Sequence, residues 1–143
     1  MLQINFPDHI FKIKKKNNTT IIFDEIRKKW LELTPEEWVR QNFVQYLIQE
    51  KKYPAACIAL EKLFMLGELK KRFDIVVYKE HLPWILIECK KENIPLQESI
   101  LKQVLIYHQS LKTEILVITN GRQSFAAKVR ESGFEILQNL PVW

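Results

Sequence analysis

Apolar positions recur along this chain with two periods, and the changes from one to the other mark out its elements. Between Thr34 and about Glu50, Val39, Phe43, Tyr46 and Leu47 follow helical spacing. Thr34 is placed as an N-cap, Pro35 takes the first helical position, and Lys51 and Lys52 follow where a helix dipole favours cations. Short β-branched and aromatic runs come next, over 57–65 ending near Gly67, over 72–78 and over 84–90. Pro95-Leu96-Gln97 then opens a second helix to about Leu111, with an inward stripe of Ile100, Leu101, Val104, Leu105 and His108, and 114–119 forms a further apolar strand. Ahead of the first helix, 10–15 and 19–23 predict a hairpin turned by Asn17-Asn18, residues that tolerate positive φ. At the far end 123–131 admits a short helix, but Phe125, Ala127 and Val129 alternate and Gly133 precedes Phe134–Leu137, which favours a terminal hairpin over a helix, with Trp143 docking on the body or into a partner.

These elements predict one domain over 1–143, with an N-terminal hairpin and connector (1–33), a core (34–121) and a C-terminal extension (122–143). Composition fits a globular chain, at 47% hydrophobic and 27% charged residues, and removes disordered and collagen-like classes. The apolar runs are too short to span a bilayer and the N-terminus lacks a signal-peptide layout, so the expectation is a cytoplasmic protein with no membrane partner. Cys57 and Cys89 lack metal-type spacing and are expected within strands as buried free thiols. His9, His81 and His108 are scattered, so neither a zinc site nor a Cys-His or Ser-His-Asp nucleophile system has support. The three glycines form no phosphate-binding loop, which argues against an ATP-driven motor in this stretch.

The chemistry concentrates in the paired runs 72–78 and 84–90. With a turn centred on His81, residues whose numbers sum to 162 face each other, pairing Tyr78 with Trp84, Val76 with Leu86 and Asp74 with Glu88. Alternation then puts Asp74, Glu88 and Lys90 on one face and Cys89 on the other, with Ile75, Val77, Ile85 and Ile87. Two carboxylates facing across a strand pair repel, and a hard divalent cation would relieve that repulsion. A slip of one residue would send the site to the opposite face. The same charges could equally be a surface ion cluster.

An Asp on one strand and Glu-x-Lys at the end of the next resembles the signature of the PD-(D/E)XK nuclease superfamily. More narrowly, Pro35-Glu36-Glu37-Trp38-Val39-Arg40-Gln41, Tyr53-Pro54, Lys71-Arg72-Phe73-Asp74-Ile75-Val76, Ile87-Glu88-Cys89-Lys90, Gln103 with Tyr107, and Thr119-Asn120-Gly121 resemble the N-terminal nuclease domain of type I restriction endonuclease restriction subunits. Phe73 departs from the superfamily's Pro. The resemblance implies an α/β (α+β) fold with a restriction-endonuclease-like core, a mixed central sheet flanked by helices in the order α-β-β-β-α-β, here preceded by the N-terminal hairpin. It implies a Mg²⁺-dependent nuclease acting on DNA, with Mn²⁺ as substitute metal. Asp74, Glu88 and the main-chain carbonyl of Cys89 would be metal ligands, and Lys90 would orient the attacking water.

Glu61 and Glu37 are candidates for a further acidic ligand, although Thr34-x-x-Glu37 also fits a capping box. Gln103 and Tyr107, one helical turn apart, resemble the pair that borders the active site in related nucleases. Asn120-Gly121 is foremost a turn signal. Arg72 and Lys91 flank the site as DNA-contacting cations, and the net charge of +5, with lysines clustered at 14–16, suits a polyanionic partner. Three functions fit the sequence: a metal-dependent nuclease, for which double-strand cutting would favour a homodimer; a nuclease-fold DNA-binding module inactive without a helicase, translocase or specificity subunit; and an interaction protein carrying a structural ion cluster.

Overall fold

In the computed structural model, residues 1–97, 99–102, 104 and 112–143 are described. Two antiparallel hairpin joints build a small N-terminal sheet of three strands, β1 (Ile13–Lys16), β2 (Thr19–Asp24) and β3 (Lys29–Glu32). Asn17 and Asn18 turn the first joint at φ of 50° and 66°, the left-handed pair that a two-residue turn requires. The expected hairpin therefore gains a third strand. Its four residues, Lys-Trp-Leu-Glu, are too short and too polar to register as an apolar run.

α1 (Pro35–Gln49) begins as expected, with the Thr34 hydroxyl accepting from the Glu37 amide at 3.1 Å. Glu37 does not complete a capping box. Its carboxylate accepts instead from Arg40 and from Gln41, and the Thr34 amide donates to the Glu32 carbonyl.

The main sheet has six strands in the order β4 (Ile58–Leu66), β5 (Leu69–Lys79), β6 (Leu82–Cys89), β7 (Ile115–Thr119), β8 (Ser124–Arg130) and β9 (Gly133–Leu137). All neighbours are antiparallel except the parallel β6–β7 pair, which the crossover between them makes possible. The terminal hairpin is thus part of the main sheet rather than an extension from it. Cys57 lies in a short 3₁₀ turn ahead of β4 instead of in a strand, and both cysteines are free thiols.

Both faces of the sheet centre are covered. α1 packs Val39, Phe43 and Leu47 against Ile75, Val77, Ile85, Ile87 and Val117. On the other face Leu96, Leu101 and Val104 join Phe73, Val76, Leu86, Leu116 and Ile118. Residues 99–102 and 104 are helical; Gln103, Leu105, Tyr107 and His108 lie outside the described residues. Two-sided burial explains why β6 and β7 are near-continuous apolar runs without alternation. No helix among the described residues is long and apolar enough to cross a membrane.

Register holds where the site sits and shifts elsewhere. Ile75 pairs with Ile87, Val76 with Leu86 and Val77 with Ile85, each summing to 162, before the ladder shifts to Tyr78–Pro83 and Lys79–Leu82. Glu80 and His81, at φ of 53° and 67°, form a two-residue turn. Tyr78 therefore does not face Trp84. Trp84 packs instead against Tyr53 and Trp143, at 5.5 and 6.0 Å between ring centroids, and Trp143 is docked on the body.

Candidate active site

The strands carrying the acidic pair part company at the site. The β5–β6 ladder ends at Ile75–Ile87, so Asp74 and Glu88 do not continue it as a registered pair. Where β5 would have supplied a carbonyl, the Asp74 carboxylate accepts from the Cys89 amide at 2.6 Å. Glu88 is buried beside the separation, with its carboxylate bonded to the Lys71 ammonium. Lys90 is half-buried just beyond β6, and its amide donates to the Thr119 carbonyl at 2.8 Å, which carries the parallel β6–β7 pairing one residue further.

The departure from regular geometry has a local origin. Glu61 sits in the middle of β4 at φ of 55°, a conformation that costs a non-glycine residue roughly 1 kcal/mol or more. Leu60 and Lys62 pair with Ile75 and Phe73, and the intervening positions are Glu61 and Asp74. On each strand the side chains change faces at that point. Leu60 and Ile75 pack with the α1 cluster, whereas Phe64 and Phe73 pack in the opposite one. Simple alternation would have kept Phe73 on the face of Ile75 and Val77. This switch brings Lys71, two residues before Phe73, round to Glu88, a contact that parity counting along β5 excludes.

Charge accumulates around Asp74. Its carboxyl is pushed up to about 6, first by burial and then by the charges of Glu61, Glu88 and Glu36, against the lowering effect of the Cys89 amide bond. Burial also holds the Cys89 thiol well above its ordinary range. Glu36, exposed in the first turn of α1, is an acidic neighbour that the sequence names only as part of the Pro35–Gln41 motif. Glu61 is half-buried, with Arg72 at 3.9 Å. Together with Glu37, Arg27 and Leu31 they line an open cleft of about 460 Å³ between the small sheet, the start of α1 and the β4–β5 hairpin. Lys91 is exposed one residue beyond Lys90.

Glu37 belongs to a different cluster. Its carboxylate is held by Arg40 and Gln41, and Arg40, 2% exposed, also donates to Asp24 at 3.0 Å. Asp24 accepts in turn from Arg27 at 2.7 Å and from the amides of Ile26 and Arg27. Asn120 is a turn residue: its side chain accepts from the amides of Arg122 and Gln123 and donates to the Ile94 carbonyl. Gly121, at φ of 90°, passes so close to α1 that a Cβ there would meet Val39 at 3.2 Å.

Among the described residues no group of three or more His, Cys, Asp and Glu side chains is arranged to hold a metal ion. Asp74 and Glu88 are nonetheless the hard oxygen donors that Mg²⁺ takes in ones and twos, with waters and phosphate oxygens completing its shell, and their donor chemistry fits that ion.

The match to a family model is extensive. Residues 35–141, from the first turn of α1 through β9, match the N terminus of the type I restriction enzyme R protein. The chain belongs to this family. Asp74, Glu88 and Lys90 all fall within the R-protein match, while β1, β2 and β3 precede it. The fold is also similar to that of a DUF820 protein from Anabaena variabilis described as a candidate nuclease, at a TM-score of 0.50 and 14% identity, over 87% of this chain and 80% of that one. No curated protein matches. The fold of the chain is α+β: among the described residues, one main helix and a six-stranded mixed sheet lie within the R-protein match, and a three-stranded sheet precedes it.

Proposed function

We propose that this chain is a Mg²⁺-dependent nuclease that hydrolyses DNA phosphodiester bonds, in restriction or related DNA processing, on a restriction-endonuclease-like core. The observation that carries the proposal is the parting of β5 from β6, which leaves Asp74 on one strand, Glu88 on the next with Lys90 two residues further on, and the charges of other carboxylates acting on Asp74. Mg²⁺, or Mn²⁺ in its place, would be held by Asp74, Glu88 and the Cys89 carbonyl, and would supply polarisation of the phosphoryl oxygen and a bound water of lowered pKa.

The remaining work falls to the chain itself. The Cys89 amide fixes the Asp74 carboxylate, so an oxygen donor is oriented before substrate arrives. Lys71 orients Glu88 by direct contact. The Lys90 ammonium aligns the attacking water and stabilises negative charge as the new P–O bond forms and the bond to the departing ester oxygen breaks. Arg72 and Lys91, both exposed, contact the flanking backbone.

A second proposal has its own support. The Lys71 contact sets an ammonium against one of the two carboxylates, as expected of a site at rest. On that proposal the chain binds DNA and cleaves only with a helicase, translocase or specificity partner. Incubating purified protein with supercoiled, linear and single-stranded DNA, with Mg²⁺, Mn²⁺ or EDTA, separates the two. Metal-dependent cleavage lost in Asp74→Ala and Lys90→Ala supports the first. Absence of cleavage, with Mn²⁺ binding that disappears in Asp74→Ala, supports the second, and cleavage unchanged by both substitutions refutes the assigned site.

A further inference from the structure

The three-stranded sheet precedes the family match and has one face turned out. Its inner face carries Ile22, fully buried, and Asp24, 2% exposed. By register the opposite face carries the row Lys12–Phe23–Trp30, then Lys14–Ile21–Glu32, then Lys16–Thr19. Three lysines thus repeat at every second position along an edge strand, about 7 Å apart. Glu32 is the acidic residue on that face.

The aromatic residues hold two of the three cations in place. The Lys14 ammonium lies over the Trp30 ring at 4.2 Å and that of Lys12 over Phe23 at 5.4 Å, and the two rings meet edge to face at 5.3 Å. Trp30 is 38% exposed, so this arrangement is at the surface. An ammonium already positioned over a ring loses less side-chain freedom on binding an anion than a free lysine does. Acidic clusters meet cations singly, whereas a line of fixed ammonium groups suits a linear polyanion whose charges repeat.

We propose that the outer face of β1–β3, through Lys12 and Lys14, steadied by Phe23 and Trp30, and through Lys16 beside them, is a docking surface for the sugar–phosphate backbone of DNA. It contacts phosphates, so it binds without sequence preference and sharpens with falling salt. This rests on the nucleic-acid proposal above but concerns a surface separate from Asp74 and Glu88.

The test is fluorescence anisotropy of the full chain with labelled single- and double-stranded oligonucleotides in EDTA, across a salt series. Wild type is compared with the triple variant Lys12→Gln, Lys14→Gln, Lys16→Gln; with Trp30→Ala; with Asp74→Ala; and with a control of equal net charge, Lys51→Gln, Lys102→Gln, Lys128→Gln. Melting temperatures establish that each variant is folded. The stripe variant should bind roughly tenfold to a hundredfold more weakly near 0.1 M salt, with a log–log salt slope shallower by roughly 2 to 3. Trp30→Ala, which keeps every charge, should weaken binding severalfold, and Asp74→Ala, which removes a negative charge, should bind at least as tightly as wild type in EDTA. Cleavage lost in Asp74→Ala while binding persists keeps site and surface distinct, and if nothing cleaves but the stripe variant still loses binding, the docking surface stands without the nuclease. Stripe and Trp30 variants that bind like wild type, or a control that weakens binding as much as the stripe variant, would overturn it.

Discussion

Two ionic clusters lie close together on either side of the start of α1, and they treat charge in opposite ways. Around Arg40, two carboxylates meet two guanidinium groups: Asp24 and Glu37 are bonded to Arg27 and Arg40, and backbone amides take up more of the Asp24 oxygens. Burial works against charge at both Asp24 and Arg40, yet the bonds and opposite charges outweigh it, holding the Asp24 carboxyl below its usual range and the Arg40 guanidinium above its own. Around Asp74 burial is reinforced by Glu61, Glu88 and Glu36. The first arrangement is an ion-paired structural joint between the small sheet and α1, in which the buried Nη1 of Arg40 has no hydrogen-bond partner among the described residues. The second pairs Glu88 with Lys71 and brings Arg72 to 3.9 Å from Glu61, yet the charges acting on Asp74 are those of carboxylates, at a place where the backbone is also strained, and the proposed cation site rests on that combination.

The largest expected effect separates the clusters by activity. If the proposed function holds, Asp74→Ala or Lys90→Ala should lower metal-dependent cleavage by about a thousandfold, measured by gel assay, whereas Glu37→Gln should lower it little. Equal losses for all three would erase the contrast.

Stability should invert the order. Asp24→Ala leaves Arg40 buried with one partner fewer and should cost about 3 kcal/mol, or roughly 10 °C in Tm. Asp74→Asn should act the other way. The folded pKa of Asp74, about 6, lies above the ordinary carboxyl value of 3.8, so the folded state binds the extra proton and its advantage, full below 3.8, is lost as pH rises through 6. Asn keeps an acceptor for Cys89 without the charge, so it should stabilise the protein by about 1 to 2 kcal/mol at pH 7.5 and flatten the melting profile between pH 4 and 6. A destabilised Asp74→Asn at pH 7.5 would show that the carboxylate is already compensated.

The contrast also accounts for what could be read from sequence. Hydrophobic patterning located α1 and the strands of the main sheet, most plainly β6 and β7, whose two-sided burial makes them continuous apolar runs, and counting from the turn gave the 162 register over Ile75–Ile87. Asn17-Asn18 disclosed its turn because the side chains themselves favour the left-handed conformation. Glu61 gives no such sign: nothing in its side chain favours φ of 55°, which the two paired strands impose together. Parity counting therefore missed the Lys71–Glu88 contact, and it could not tell that Glu37 would turn to Arg40, since the capping-box spacing also fits an i,i+3 ion pair. Trp84 slipped from Tyr78 because a two-residue turn and one irregularity displaced the strand end by one residue.

The smallest effect probes that strain. Glu61→Gly should raise stability by about 1 kcal/mol, since glycine adopts positive φ freely, while Lys62→Gly next to it should lower stability by a similar amount. Chemical denaturation of both variants would check the sign of each.

The difference between the clusters is tested most directly by calorimetric titration of Mn²⁺ at pH 7.5. Wild type and Glu37→Gln should each bind the ion, Asp74→Ala should not, and wild-type affinity should fall as pH drops below about 6, where protons compete for Asp74. Binding that survives Asp74→Ala, or is abolished by Glu37→Gln while the fold is intact, would contradict the assignment of the cation to the acidic cluster.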